Sequence, residues 1–375
     1  MKESVTKINH NQTAELTDAT GDQERRFARV LVMIDGAIAR RVFPGAALAV
    51  TFGGRLLAWR GFGRFTYDAS SPAAPRETVW DLASLTKPLA TTSMAMLLYE
   101  RGQLSLDAPI VELLPEFADP ADHRRDAVTA RMLLEHSSGL PAHRKLYLLA
   151  DGRQAMLKAA ASVPLETAPG EHAEYSDIGF ILLGELLERT AGEREDVFCQ
   201  REVFDPLELN FRFLPHPRQL IQFPPTLNDK EYRGRIIQGE VNDENGSAMG
   251  GVAGHAGLFG DALSVARYAN CILHGGAPLF HPETVRQFTT RAKDPAGTSR
   301  TMGWDTPSTP SQSGTRFSPR SFGHLGYTGT SLWCDPERGL SVTLLTNRTW
   351  PDASNQAMKE VRPLIHDAIL ECVES

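Results

Sequence analysis

The stretch WDLASLTKPLATTSMAMLLYE, residues 80–100, contains the tetrad Ser84-Leu-Thr-Lys87 where an apolar helix is predicted to begin. Residues i and i+3 share one face of a helix, so the side chains of Ser84 and Lys87 are expected to meet. A lysine amine there can accept the serine proton when burial or nearby charge lowers its pKa. The helix N-terminus also directs unpaired N–H groups at a developing oxyanion. The pattern thus predicts a nucleophile beside its base; the alternative is a helix-capping serine next to a surface lysine.

The residue after this tetrad and a second copy of the S-x-x-K pattern both affect its interpretation. Pro88 removes a helical hydrogen bond and disfavours the helical conformation of Lys87, so we expect a distorted first turn. A second tetrad, Ser4 to Lys7, lies in a polar segment without an apolar pattern to hold it. Because a nucleophile must be held rigidly, we interpret Ser4 as a chance occurrence.

The composition limits the class of protein. The chain has 375 residues, of which 41% are apolar and 23% charged, which is typical of a soluble globular protein. The net charge of −7 and the lack of a long basic run argue against nucleic acid as a partner. No apolar run approaches the ~20 residues that span a bilayer, and residues 1–26 lack a signal-peptide pattern. We therefore expect a cytoplasmic protein with no membrane span.

The order of predicted elements indicates the fold class. Strand patterns occupy both ends of the chain and helical patterns lie between them, which predicts an α/β (α+β) architecture with a helical insertion. We expect a disordered tail over residues 1–21, an α/β subdomain from 22–95 and 262–375, and a helical subdomain from 96–261. Together these would form one catalytic unit.

Individual elements can be placed within this order. The patterns predict helices over 24–42, 153–163, 178–192 and 355–373, hairpins over 45–64 and 329–348, and an irregular, proline-rich stretch over 205–245.

Five segments in order carry a resemblance to a known family. They are DLASLTKPLATT (81–92), TARMLLEHSSGLP (129–141), EYSDIGFILLGELLE (174–188), GGVAGHAGLFG (250–260) and FGHLGYTGTSLW (322–333). The chain resembles the serine β-lactamase-related superfamily, which includes class C β-lactamases, low-molecular-weight penicillin-binding proteins and family VIII esterases. The resemblance extends from about residue 25 to the C-terminus. It implies the β-lactamase/transpeptidase-like fold, with an antiparallel sheet flanked by the terminal helices and a helical inserted subdomain.

The resemblance implies a role for each matching residue. Ser84 would be the acylated nucleophile, Lys87 its activating base and Tyr175 a general acid or base. The backbone N–H groups of Ser84 and Tyr327 would form the oxyanion hole. A charged Lys87 nearby is expected to lower the pKa of Tyr175, so that the two titrate as a pair. Without the resemblance, Tyr175 reads as a buried tyrosine at a helix start.

Two residues depart from the family pattern at positions expected to bind substrate. Asp177 replaces the asparagine of the Y-x-N box, and an ionised carboxylate cannot donate a hydrogen bond to a substrate carbonyl. Asp177 could instead pair with Lys87 and weaken it as a base. In the segment His324-Leu-Gly326, His324 replaces the lysine of the K-T-G box and is mostly uncharged at neutral pH. This favours less charged esters or amides over carboxylate-bearing lactams; alternatively, His324 is a strand histidine with a satisfied hydrogen bond.

Other polar residues give weaker signals. His255 in the glycine-rich box is a candidate for lining the cleft, although a histidine that caps a tight turn fits as well. Asp243 and Glu244 precede His255, but their spacing matches no metal-ligand pattern, so we expect no metal and no cofactor. Arg348 follows a predicted strand and could bind a substrate carboxylate. The four cysteines are interpreted as reduced thiols, mostly buried.

Taken together, the residues and the resemblance indicate a serine hydrolase that forms an acyl-enzyme on a small-molecule ester, amide or lactam. An esterase or amidase is the leading interpretation. A D-alanyl-D-alanine carboxypeptidase, a weak β-lactamase and an acyltransferase are alternatives within the same chemistry. A non-catalytic binding protein with the same fold is the alternative outside it. The sequence does not indicate the oligomeric state.

The departure at position 324 gives a first prediction. If the missing positive charge limits binding, His324→Lys should raise kcat/KM on substrates that carry a carboxylate, relative to their uncharged counterparts. Hydrolysis rates on matched charged and uncharged substrates measure this, and an unchanged ratio would contradict it.

Overall fold

The structure, a computed structural model, describes residues 15–214 and 223–374. Strands in this part of the chain are β1 (Thr17–Asp18), β2 (Gly45–Phe52), β3 (Arg55–Gly63), β4 (Trp80–Asp81), β5 (Leu227–Asp229), β6 (Arg235–Ile237), β7 (Phe259–Gly260), β8 (Phe322–Leu325), β9 (Ser331–Asp335) and β10 (Leu340–Thr346). Helices are α1 (Gln23–Arg26), α2 (Ala28–Ala39), α3 (Ser93–Glu100), α4 (Ala130–Leu134), α5 (Arg153–Ala161), α6 (Asp177–Ala191), α7 (Glu195–Cys199), α8 (Glu244–Ala248), α9 (Ala262–Leu273), α10 (Pro282–Thr289) and α11 (Met358–Glu374).

A six-stranded sheet joins the two ends of the chain. Its order is β1-β3-β2-β10-β9-β8, antiparallel throughout except for the parallel pair β1 and β3. Both predicted hairpins are present, β2–β3 around Gly53 and Gly54 and β9–β10 around the turn after Asp335. Gly53 and Gly54 have φ values of 55° and 74°, which a glycine adopts without a steric penalty. The expected α+β fold is therefore confirmed.

Helices cover both faces of this sheet. Strands β2 and β10 are buried along nearly their whole length, which explains their continuous apolar sequences. The terminal helices α2 and α11 pack against each other and against one face, in a core that includes Val50 and Leu344. Helix α9 packs on the opposite face against β2 and β10. The sheet is thus a rigid support, and its β8 edge carries the segment that reaches the site.

The helical insertion is organised around α6. Ser176 caps its N-terminus by accepting the N–H of Gly179, and Gly192 ends it in a left-handed conformation. Helices α3, α4 and α5 pack around α6, as does the segment Lys87–Thr92. Because α6 is apolar on almost every side, it is buried, and its first residues are held at the centre of the molecule.

Some boundaries differ from the sequence-based expectations. The tail predicted over residues 1–21 is too long at its C-terminal end, because Thr17–Asp18 pairs with Arg55 and Leu56 in the sheet. Ser4 and its tetrad lie outside the described residues. The stretch predicted as irregular over 205–245 contains a small hairpin of β5 and β6, closed by register pairing of Asp229 with Arg235. The subdomain limits remain a prediction.

Two further expectations concern the cysteines and membrane-spanning helices. Cys199, Cys271 and Cys334 are buried, and Cys372 is half-buried. Among the described helices, none combines the length and the apolar character that crossing a bilayer requires.

Candidate active site

The segment around Ser84 has the distorted geometry that Pro88 predicts. Residues Ala83–Leu85 form a 3-10 turn, and Lys87–Thr92 form a widened π-helical turn before α3 begins. Pro88 cannot donate a backbone hydrogen bond, so the chain enters the helix through this irregular turn. The predicted contact is present, since Lys87 Nζ donates to Ser84 Oγ over 3.1 Å.

Tyr175 approaches Ser84 from the start of α6. Its hydroxyl donates to Ser84 Oγ over 2.8 Å. The tyrosine ring packs against His136, with ring centroids 4.7 Å apart, and the imidazole Nδ1 accepts the N–H of Ser176 over 3.0 Å. His136 is therefore a buried support that fixes the residues on both sides of the cap of α6. Although His136 lies in the quoted segment 129–141, no spacing there marks it for this role.

A buried ion pair lies directly beneath the nucleophile. Lys87 Nζ donates to Asp177 Oδ1 over 2.7 Å and to the backbone oxygen of His255 over 3.0 Å. With Ser84 Oγ as the third acceptor, all three protons of the ammonium group have partners. The lysine side chain is 0% exposed, so its charge depends entirely on these neighbours.

This ion pair keeps Lys87 protonated. Burial lowers the pKa of Lys87, but the charges of Asp177 and Tyr175 outweigh it and leave that pKa above the usual value. Burial likewise tends to raise the pKa of Asp177, yet Lys87 and His143 hold it far below its usual value. The expectation that Asp177 holds Lys87 in its charged form agrees with this geometry. Lys87 in the free protein is thus a cation rather than a ready base.

Lys87 lowers the pKa of Tyr175 as expected, but the net pKa of Tyr175 is raised. Burial and the charge of Asp177 raise the pKa of Tyr175, and together they exceed the lowering by Lys87. Tyr175 is therefore a neutral phenol that donates to Ser84. The charge of Lys87 alone does not decide the pKa of Tyr175, because desolvation of the ring and the charge of Asp177 outweigh it.

Two backbone segments meet where an oxyanion would bind. The loop after β8 carries the N–H of Tyr327, and Thr328 and Thr330 on that loop donate to the carbonyl oxygens of Asp81 and Leu82 over 2.9 and 3.0 Å. These bonds fix the Tyr327 loop against the residues that lead into Ser84.

Gly326 permits the close approach of these segments. A Cβ atom at position 326 would lie 2.7 Å from the oxygen of Leu82 and would also collide with Thr330. Neither the N–H of Ser84 nor that of Tyr327 donates to another group within 15–214 and 223–374. Both N–H groups thus remain available for a ligand.

His324 lies in the site without a charge. Its side chain is 3% exposed, and Nδ1 contacts the carbonyl oxygen of Leu325 at 2.8 Å. Burial, together with the charges of Lys87 and Arg300, lowers the pKa of His324 to about 3. The expected loss of positive charge at this position agrees with that direction. Nε2 of His324 is buried and has no hydrogen-bond partner among the described residues.

His255 does not line the cleft as expected. The residue is 1% exposed, and Nε2 contacts Asp243 Oδ1 at 2.7 Å. The glycines around it allow the backbone to turn inwards, so only its carbonyl oxygen reaches Lys87. His255 therefore lies behind the site and supports it, while Asp243 and Glu244 face the cavity.

A cavity of about 1110 Å³ opens above these groups. Ser84, Tyr175, Asp177, His324 and Tyr327 all lie on its wall, whereas the predicted base Lys87 is buried behind them. Gly326 also lies on this wall. Such a volume holds a ligand at least as large as a typical drug molecule.

Because His324 stands in place of the family's lysine, the site lacks a positive charge at that position. Three arginines nearby supply positive charge instead. Arg300 lies 5.4 Å from the centroid of the Tyr175 ring and pairs with Asp305 over 3.4 Å. Arg348 and Arg362 are 8% and 4% exposed and line the cavity. Of these, only Arg348 was identified in the sequence. Arg300 and Arg362 lie far from every box, and nothing in their spacing marks them.

Arg348 and Arg362 are buried cations without acidic partners. Arg348 donates to the carbonyl oxygens of Tyr327, Ala353 and Asn355, and Arg362 to Gln312 and Gly329. Neither pairs with a carboxylate in the described ranges, and the Nε atom of Arg362 is buried without a partner. Burial and the charge of Arg348 lower the pKa of Arg362 to about 9. Both residues retain capacity for an anion.

Comparisons with known proteins agree with this architecture. A family model described as Beta-lactamase matches residues 32–366. An N-acetylmuramyl-L-alanine amidase of Bacillus subtilis is 31% identical, covering 91% of this chain and 84% of the relative. A putative D-alanyl-D-alanine carboxypeptidase of Escherichia coli K12 is 33% identical, covering 72% of this chain and 69% of the relative.

Solved structures share the fold at lower sequence identity. EstCE1, a hydrolase with promiscuous acyltransferase activity, has a TM-score of 0.76 at 22% identity, covering 92% of this chain and 99% of its own. A class C β-lactamase from Rhodobacter sphaeroides has a TM-score of 0.70 at 17% identity, with coverage of 92% and 99%. The chain belongs to the Beta-lactamase family, and it is a serine hydrolase of that family.

The ion pair gives a second prediction. Asp177→Asn removes the charge that raises the pKa of Lys87, so the neutral amine should appear at lower pH. The alkaline rise in the rate of Ser84 acylation should then begin at least about one pH unit lower than in the wild type.

Labelling rates with a fluorophosphonate between pH 6 and pH 10 measure this shift. Asp243→Asn is a useful comparison, because Asp243 contacts His255 rather than Lys87 and should shift the profile less. An unchanged profile in Asp177→Asn would contradict the assignment of Lys87 as the base.

Proposed function

We propose that the protein hydrolyses an amide or ester bond through an acyl-enzyme on Ser84. The observation that supports this most directly is the convergence of Lys87 and Tyr175 on Ser84 Oγ, over 3.1 and 2.8 Å. A helix-capping serine needs neither contact. Burial of a lysine and a phenol beside one hydroxyl costs desolvation energy that ligand binding alone does not require. The arrangement therefore favours an enzyme over a binding protein.

Acylation begins with a proton shift inside the buried pair. Bound substrate excludes water from Asp177, and the lower polarity favours transfer of a proton from Lys87 Nζ to Asp177 Oδ1 over their 2.7 Å contact. The neutral amine then accepts the Ser84 proton as Oγ attacks the substrate carbonyl. The N–H groups of Ser84 and Tyr327 stabilise the oxyanion.

Tyr175 acts as the general acid for the leaving group. Its raised pKa keeps the proton on the phenol until a nitrogen or oxygen departs with the electron pair of the broken bond. The leaving group takes the Tyr175 proton, which leaves a phenolate beside the newly charged Lys87. The acyl group now forms an ester with Ser84 Oγ.

Deacylation reverses these roles. Water enters, gives a proton to the Tyr175 phenolate and attacks the ester carbonyl. When the intermediate collapses, Ser84 Oγ leaves with its electron pair and recovers a proton from Lys87. Lys87 then regains the proton stored on Asp177, which restores the resting ion pair. Each side chain therefore ends in its starting protonation state, and water replaces the Tyr175 proton that left with the leaving group.

For the substrate, we infer a polar amide that carries a carboxylate. Two relatives at 31% and 33% identity are named for cleavage of amide bonds in compounds of this kind. Arg348 and Arg362 provide buried positive charge in the cavity, without acidic partners in the described part of the chain. A carboxypeptidase is the second candidate, since it also requires a cation for a terminal carboxylate. The earlier preference for uncharged substrates rested on position 324 alone.

The third prediction tests the nucleophile. Intact-mass measurement after treatment with a fluorophosphonate should show one adduct on the wild type and none on Ser84→Ala. Ser4→Ala is a matched control, because it removes the other S-x-x-K serine and should retain the adduct. Absence of labelling in correctly folded wild type would favour a binding protein, and an adduct that persists on Ser84→Ala would reject this nucleophile.

The fourth prediction tests the arginines. Arg362→Gln should raise KM for a carboxylate-bearing peptide amide by about tenfold, since charge-assisted hydrogen bonds contribute about 1.5–3 kcal/mol. The methyl ester of the same carboxylate should show little change. Lys158→Gln, which removes an exposed cation on α5, controls for total charge. Equal losses on both substrates would indicate a structural defect instead.

A further inference from the structure

Asp81, three residues before the nucleophile, is a buried carboxylate that accepts backbone hydrogen bonds only. Oδ1 accepts the N–H of Ala83 over 2.8 Å, and Oδ2 accepts the N–H of Asn242 over 2.7 Å. The residue is 4% exposed, and no cationic side chain forms an ion pair with it in the described ranges. A buried carboxylate without a cation is unfavourable, so its retention here requires an explanation.

Ala83 has an unusual backbone conformation. Its φ is 49°, in the left-handed region that residues with a Cβ rarely occupy. Such conformations persist only where surrounding contacts impose them, and they are frequent at active sites. Because Ala83 immediately precedes Ser84, its torsion angles determine where the N–H of Ser84 points.

The carboxylate of Asp81 is well placed to impose this conformation. The bond from Ala83 to Oδ1 closes a tight turn within three residues, and the backbone oxygen of Asp81 is itself held by Thr328. The bond to Asn242 fixes the other oxygen, so the carboxylate cannot rotate away. Asn242 is adjacent to Asp243, which contacts His255, and the carbonyl of His255 accepts from Lys87.

We propose that Asp81 is a positioning residue, which builds half of the oxyanion hole by holding Ala83 in the left-handed conformation that directs the N–H of Ser84 at the substrate oxygen. This inference rests on the proposed function, because it concerns the same acylation step. Asp81 does not touch substrate, and its effect passes entirely through the backbone of Ala83.

The pH dependence of Asp81 ionisation distinguishes a role in catalysis from a role in stability alone. Burial raises the pKa of Asp81 to about 6. This is a net effect, because the backbone hydrogen bonds from Asn242 and Ala83 and the charge of Arg233 lower the pKa, whereas the charge of Asp243 raises it. Since this pKa lies above the unfolded value, burial of the carboxylate makes the protein less stable as the pH rises from about 4 to about 6. Catalysis needs the carboxylate as acceptor, so kcat should rise as the pH passes through about 6, where Asp81 of the folded enzyme ionises. The two properties change in opposite directions.

The test uses Asp81→Asn, Ala83→Gly and the double variant. An asparagine cannot accept both N–H groups through oxygen, so one of the two bonds is lost. We expect Asp81→Asn to lower kcat on a short p-nitrophenyl ester by about 10²-fold with KM nearly unchanged, the pattern for loss of an oxyanion donor. The increase of kcat near pH 6 should also disappear.

Glycine adopts positive φ without steric cost, so Ala83→Gly should rescue the asparagine variant. Adding Ala83→Gly should raise kcat at least tenfold more in Asp81→Asn than in the wild type. Asp335→Asn is a control for loss of a buried acceptor, because Asp335 accepts backbone N–H groups away from the cavity, although it also pairs with Arg338. Its losses should appear in stability, without rescue by Ala83→Gly.

Thermal melting and a crystal structure of Asp81→Asn add readouts independent of activity. Ala83→Gly should raise Tm more in Asp81→Asn than in the wild type. A positive φ at Ala83 in the Asp81→Asn crystal structure, or equal effects of Ala83→Gly in both backgrounds, would overturn the inference. Wild type that resists fluorophosphonate would refute the proposed hydrolase, while the coupling between positions 81 and 83 in melting would still decide the role of Asp81.

Discussion

The ion pair between Lys87 and Asp177 is the contact on which the rest of the site depends. It joins the irregular turn after Ser84 to the first residue of α6. Lys87 is fully buried, and the side chain of Asp177 is 17% exposed on the cavity wall. Opposite charges largely removed from water are stable only when hydrogen bonds satisfy them. The carbonyl of His255 and the hydroxyl of Ser84 accept the remaining protons of Lys87, and His143 lies 3.7 Å from the second carboxylate oxygen of Asp177. The surroundings of the nucleophile are therefore organised to keep one lysine charged.

This arrangement raises the pKa of Lys87, so in the resting enzyme its amine is mostly protonated and seldom free to accept the Ser84 proton. A neutral asparagine at position 177 would leave Lys87 with a lower pKa and readier to act as a base. Asp177 instead keeps Lys87 protonated until substrate displaces water from the carboxylate. Tyr175 is held as a neutral donor by the same burial and the same carboxylate. Substrate binding, rather than pH alone, then sets the reactive state.

The features that were predicted correctly from the sequence depend on residues that are close together in the chain. The two hairpins and the contact of Ser84 with Lys87 follow from short periodic patterns, and they are present. The net effect on the pKa of Tyr175 was not predictable, since it depends on burial among residues from distant segments. The inward turn of His255 and the approach of Arg362 likewise require the tertiary fold, because no spacing in the chain encodes them.

The central strand pairing has a consequence for the synthesis of this protein. β2 emerges early from the ribosome, yet its inner partner β10 lies near the C-terminus, with Val50 opposite Val342. Until that partner arrives, β2 exposes an apolar, unpaired edge of the kind that joins edges of other chains. The nascent chain thus depends on rapid completion or on a chaperone for most of its translation. Truncated products would be expected to accumulate as insoluble aggregates rather than as smaller active forms.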